Sequence, residues 1–147
     1  LLRGSHSSEN YFKVADMFML KEAMMLLAEI MGSPEWLAIQ VEVVGPGIQS
    51  NPRKLDRLDF YVFNLITPNG RIPCHRGEVL LREVCLRWVP MLGVIAMPMT
   101  VENILSFATG YSALAPGELR EGVVCRNYEK NISFKAISPE YLIKHGR

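Results

Sequence analysis

An α+β fold with mainly antiparallel strands is what this sequence predicts, and three observations carry the prediction. Apolar residues alternate through Leu37 to Val44, with Leu37, Ile39, Val41 and Val43 on one face and Gln40 and Glu42 on the other, as a half-buried strand requires. Two further strand-like runs close the chain, about Glu121 to Arg126 and Ile132 to Ile137, around the polar connection Asn127 to Asn131. Strands and helical stretches do not alternate in the βαβ rhythm of a parallel sheet, and there are no internal repeats.

The elements come in order. Tyr11 to Met31 is expected as one helix, capped by Ser7 or Ser8 and ended by Gly32-Ser33-Pro34, an αL-permissive residue followed by a breaker. Its Met-rich apolar face suits core packing. After the strand at Leu37 to Val44, Gly45-Pro46-Gly47 is a turn. Phe60 to Ile66 is a strand apolar on both faces and so expected to be buried on both, closed by the tight turn Thr67-Pro68-Asn69-Gly70. Glu78 to Trp88 is expected to be helical, limited by Pro90, with Glu78, Arg82 and Arg87 toward water. Thr100 caps a short helix that runs through Phe107 and stops near Gly110; Ser112 to Glu118 is loop. Pro139 starts a last short helix.

Bulk properties bound the function classes. The chain has 147 residues, 49% of them apolar, which is enough for one cored domain or a piece of a larger one. A formal net charge of +1 excludes a polybasic binder but leaves room for a local phosphate-binding groove, because placement rather than the sum sets the field. Cys74, Cys85 and Cys125 form no CxxC, so neither a disulfide framework nor a zinc site is expected, and a reducing cytoplasmic compartment fits them. The apolar runs Ala23 to Ala28 and Trp88 to Met99 are too short to span a bilayer, so no membrane is expected as a partner. No signal peptide is expected either. His6, His75 and His145 are scattered and carry no metal expectation.

Chemistry concentrates near the end of the chain. Pairing the last two strands symmetrically about Glu129 sets Val123 opposite Lys135, with Glu121, Val123, Ser133 and Lys135 on one open face and Cys125 beside it. Ile132, Phe134 and Ala136 then face a core. Taken alone, a Glu/Lys hairpin pair is most often an ordinary ion pair worth under about 1 kcal/mol.

The surrounding residues change that reading. Glu121-Gly122-Val123-Val124-Cys125-Arg126, followed by Ser133-Phe134-Lys135-Ala136-Ile137-Ser138, resembles nucleotidyltransferase motifs IV and V of the ATP-dependent RNA ligases. Pro139 to Lys144 resembles the segment that succeeds motif V in that family. Gln40 to Asn51 looks like motif III, and Phe60-Tyr61-Val62-Phe63-Asn64 like motif IIIa. The likeness runs from about Asn10 to Lys144. It implies a partial adenylation domain of the ligase and capping-enzyme type over residues 1–147, with residues 1–9 either a tag or a truncated edge.

The resemblance also implies roles. Glu121 would serve a divalent metal, Mg2+ or Mn2+; Lys135 would contact the α-phosphate of ATP or AMP; Glu42 would contact the ribose; Phe63 would stack on adenine. A metal and an ammonium offset charge growing on phosphate oxygens, and a flat ring can pair with a purine. Phe63 reads equally as a core residue. Two positions depart from the pattern: Ile137 stands where a second lysine is common, and Val41 where glycine is commoner.

One part of the pattern is absent. The family forms lysyl-AMP on a Lys-x-Asp-Gly-type element before motif III, and an in-line amine has no substitute in the other motifs. Lys54-Leu55-Asp56-Arg57 comes nearest, but it lacks the glycine and lies after motif III. The expectation is therefore part of an RNA ligase that joins 5′-phosphate and 3′-hydroxyl RNA ends, inactive alone, with Arg3 as a remnant of the next family element. The competing readings are a non-catalytic nucleotide- or RNA-binding relic, and a fragment of a DNA ligase or capping guanylyltransferase.

Overall fold

The computed structural model describes residues 8–49, 51, 53–96 and 98–146, and of Ser8 only the backbone. The expectations placed on Ser7, on the Ser8 side chain and on Arg3 lie outside the described residues, as does Ser50 of the motif III stretch. The chain divides into two compact units, one up to Val89 and one from Pro90 onward. The architecture is α+β with antiparallel sheets and flanking helices, as expected.

The first unit begins with a break. The expected single helix is two, α1 at Ser8–Met17 and α2 at Leu20–Ile30. Met19 adopts a left-handed conformation (φ 47°, ψ 46°), costing on the order of 1 kcal/mol for a residue with a side chain. Phe18 shows why the cost is met: its ring packs edge-on against Phe60 at 4.9 Å, and the reversal lets Val14 of α1 and Leu27 of α2 both enter the core. Neither Gly nor Pro announces the break, so periodicity alone reads straight through it. At the far end Gly32 (φ 80°) closes α2 as predicted, with Ser33 N–H donating to the Ala28 carbonyl.

Three strands form the sheet of this unit in the order β1-β2-β3: β1 at Ala38–Val44, β2 at Asp59–Thr67 and β3 at Gly70–Arg71, all antiparallel. Val43, Phe60, Val62 and Leu65 supply its buried face. Helix α3 spans Cys74–Glu83, earlier than the expected Glu78 to Trp88. Cys85 (φ 57°) turns the chain out of the helix, and Arg87 to Val89 run beside β2, where Val62 N–H donates to Arg87 O and Val89 N–H to Val62 O, both at 2.8 Å. Burial of Trp88 under the sheet therefore outweighs continuation of the helix. Gly77 leaves room for it, since a Cβ there would lie 2.5 Å from the indole ring.

The second unit carries α4 at Val101–Ala108, whose first turn is capped by Thr100 Oγ1 accepting from Asn103 N–H at 3.2 Å. The loop from Ser112 to Glu118 is closed by Ser112 N–H donating to Glu118 O. Strands β4 (Gly122–Asn127) and β5 (Ile132–Ile137) form the predicted hairpin, and α5 (Pro139–Lys144) comes next with Ser138, fully buried, as its cap.

The hairpin register is not the expected one. Val124, not Val123, lies opposite Lys135, and Val123 pairs with Ala136. The connection thus centres between Glu129 and Lys130, and a one-residue slip moves side chains between faces. Ala136 is buried, but Phe134 and Ile132 are exposed, so the inner face expected for all three holds only the smallest. Cys125 pairs with Phe134, on the opposite face from Lys135 rather than beside it.

Candidate functional site

In the second unit, Glu121 and Lys135 meet: Lys135 Nζ lies 2.7 Å from Glu121 Oε1. The expected pairing is present although the register that predicted it is not. Glu121 stands just before β4, where its carbonyl accepts from Ser138 N–H, and the long Lys135 side chain reaches it past Gly122. Gly122 lets the two strands close here: a Cβ there would run into the Ala136 carbonyl oxygen and sit 2.9 Å from Ile137 Cα. Both ends of the ion pair stay nearly half exposed, so it contributes little to stability and leaves both groups open to a ligand.

In the first unit, Glu42 and Phe63 lie on one sheet. Glu42 projects from the wet face of β1, opposite Tyr61, with its carboxylate 2.9 Å from the Arg53 guanidinium. The pairing slips between Gln40 and Val41, leaving Phe63 as the extra residue of a β-bulge, and the Asn64 side-chain amide donates to Gln40 Oε1 across it. The bulge changes which residues share a face. Leu65, which strict alternation would set on the same face as Phe63, is fully buried with Val62 and Phe60, whereas Phe63 is half-buried with Tyr61. The inserted residue thus turns Phe63 away from the core, and bulges of this kind often re-aim a side chain near a binding site.

Beside it, Arg87 packs its guanidinium over the Tyr61 ring at 4.9 Å and pairs with the buried carboxylate of Asp59, to which the Tyr61 hydroxyl also donates at 3.2 Å. Burial, then the charge of Asp59, pushes the Tyr61 phenol above its ordinary range. The turn after β1 is fixed by Gly45 (φ 119°), where a Cβ would meet the backbone of Arg57 and Leu58.

The donor set limits how a metal could be held. Among the described residues no group of three or more His, Cys, Asp or Glu side chains could cage an ion. A single carboxylate such as Glu121 suits a Mg2+- or Mn2+-like ion that takes most of its ligands from phosphates and water. The residues therefore fit a metal carried by a nucleotide, not one held by protein alone. Sequence reasoning assigned no role to Arg53 and Asp59, which lie beside the quoted motifs, and placed Arg87 only toward water; an Arg or Asp next to a strand end gives no periodic signal, and only the fold supplies its partner.

Comparison with protein-family models gives no match, and neither does comparison with curated proteins. Solved structures do match. A Naegleria gruberi RNA ligase with PPi superposes with a TM-score of 0.82 at 29% identity, over 99% of this chain and 43% of the ligase. The fold of this chain is thus similar to part of an RNA ligase. The same ligase as a lysine-to-alanine variant with ATP and Mn gives a TM-score of 0.83 at 28% identity, covering 99% of this chain and 42% of that one. A glutamate-to-alanine variant with ATP and Mn gives 0.82 at 27%, covering 100% and 43%. The chain thus spans less than half the length of the ligases it matches. No helix among its described residues is long and apolar enough to cross a membrane.

Proposed function

We propose that this domain holds the adenylate of ATP for an RNA ligase that joins 5′-phosphate and 3′-hydroxyl ends. In the whole reaction a lysine amine displaces pyrophosphate from ATP, the RNA 5′-phosphate displaces that lysine from AMP, and the 3′-hydroxyl finally displaces AMP. Glu42 contacts the ribose, Phe63 stacks on adenine, Lys135 contacts the α-phosphate, and Glu121 is the protein ligand of a divalent ion that offsets phosphate charge. The observation that supports this most directly is the half-exposed Glu121–Lys135 pair at 2.7 Å, a cation and a metal-competent carboxylate positioned together around a glycine with no room for a side chain.

None of Lys13, Lys21, Lys54, Lys130, Lys135 and Lys144 has the flanks of the nucleophile, so the chain by itself binds nucleotide without forming the adduct. Calorimetry with ATP and Mn2+ tests the pocket. Weak binding is expected for the chain, and none for the Glu121→Ala, Lys135→Ala double variant. Binding that persists in the folded double variant refutes the assignment. Incubation with α-labelled ATP is expected to leave the protein unlabelled; a stable AMP adduct shows that one of these lysines is the nucleophile after all.

A further inference from the structure

A surface cavity of about 370 Å3 in the second unit is lined by Leu92, Ser106, Phe107 and Arg120. None of the four residues assigned to adenylate lines it. Its walls are of two kinds. Phe107 and Leu92, each about half exposed (46% and 49%), give it flat apolar surface, while Ser106 and Arg120 bring a hydroxyl and a guanidinium.

Arg120 is held by backbone carbonyls. Its backbone N–H donates to Gly110 O, and its Nη2 donates to Thr109 O at 2.8 Å, at the carboxyl end of α4. Gly110 leaves room for it, since a Cβ there would lie 2.7 Å from that nitrogen. Arg53, Arg82 and Arg87 each have a carboxylate within ion-pair distance; among the described residues Arg120 has none. Its Nε–H is buried with no acceptor among the described residues, an orphan donor that carries a desolvation cost. An oriented guanidinium beside a hydroxyl favours a phosphate, and an aromatic face lining the same cavity favours a base.

We infer that this cavity binds one nucleotide of a single-stranded polynucleotide, phosphate on Arg120 and Ser106, base against Phe107. That class, rather than free phosphate, follows from the apolar walls, which inorganic phosphate would leave bare. The inference rests on the RNA ligase reading for its choice of RNA, and it adds a strand-holding site lined by none of the four residues assigned to adenylate.

The test is fluorescence anisotropy of the chain with a 3′-labelled, 5′-phosphorylated RNA hexamer across a salt series, beside ATP·Mn2+ calorimetry on the same samples. Arg120→Gln is expected to weaken RNA binding roughly ten-fold or more and to lower the salt slope by about 0.7, the value of one single-strand phosphate contact. Phe107→Ala is expected to weaken it at least about five-fold with the salt slope unchanged. Both variants keep ATP·Mn2+ affinity.

Wild-type RNA affinity and slope in a folded Arg120→Gln variant overturn the inference while the adenylate reading stands. Loss of ATP binding in the unmutated chain overturns the adenylate reading instead. Should Arg120→Gln not fold, Phe107→Ala, altered at an exposed position, decides alone, together with photocrosslinking of 5-iodouridine RNA. Crosslinks within α4 support the site, and crosslinks confined to other elements refute it. Equal competition by inorganic phosphate at the same phosphate concentration also refutes it, since it would leave no role for the base.

Discussion

Gly122→Ala is the sharpest perturbation of the site. The backbone there is not left-handed, so alanine pays no conformational penalty and would by itself stabilise by about 0.4–1 kcal/mol through the unfolded chain. Against this stands contact. The new methyl group would meet Ala136 O, Ile137 Cα at 2.9 Å and Ala136 C at 3.0 Å, all backbone atoms that no rotamer change can move. Strand β5 must retreat on the order of 1 Å, a displacement that can cost roughly 100-fold where groups must be held in line. Overpacking of this sort costs about 1–3 kcal/mol. The net loss is then roughly 0–2.6 kcal/mol, a fall in melting temperature of up to about 10 °C for a chain of this size. Thermal unfolding followed by circular dichroism measures it, with Val124→Ala, at a half-exposed neighbour, as the control. Nucleotide affinity, measured on the same proteins, should fall with Gly122→Ala alone. A Gly122→Ala chain that melts at or above the unaltered temperature and binds ATP·Mn2+ as tightly would refute the claim that glycine is there to let the strands close on each other.

Two other outcomes concern the first unit and the hairpin. Asp59→Ala removes a buried carboxylate that accepts from Arg87, Tyr61 and the Phe60 N–H, and should destabilise the chain by about 2–4 kcal/mol in urea unfolding; a loss under about 1 kcal/mol would mean the cluster is only a surface pair. Burial pushes the Cys125 thiol above its ordinary range, so less thiolate forms at neutral pH and its alkylation by iodoacetamide should rise only at higher pH than for a free cysteine. Peptide mapping from neutral to alkaline pH should find the exposed Cys85 modified before Cys125; the reverse order contradicts the burial.

Local residue patterns determined much of this protein. Alternation located β1, a short run apolar on both faces located β2, and two strand-like runs around a polar connection located the closing hairpin, all signals written in consecutive residues. Thr100 did the same for α4, because a cap bonds a backbone group three residues away, and Pro139 for α5, because its fixed φ suits the first helical position. Glu121 and Lys135 were legible as neighbours because two strands and a short connection leave few ways to pair them. Four features were decided only by the folded chain. Met19 turns left-handed because Phe18 finds Phe60, 42 positions away in sequence. The chain leaves α3 early because Trp88 is worth more under β2 than on a helix surface. Phe63 faces outward because a bulge flips its parity relative to Leu65, and the hairpin slips by one residue by the same arithmetic. Arg120 belongs with these: one arginine among the cations of the sequence, distinguished only when folding surrounds it with a helix end, an aromatic ring and no carboxylate among the described residues. Periodicity records what a residue does with its near neighbours; a distant partner leaves no mark until the chain has closed around it.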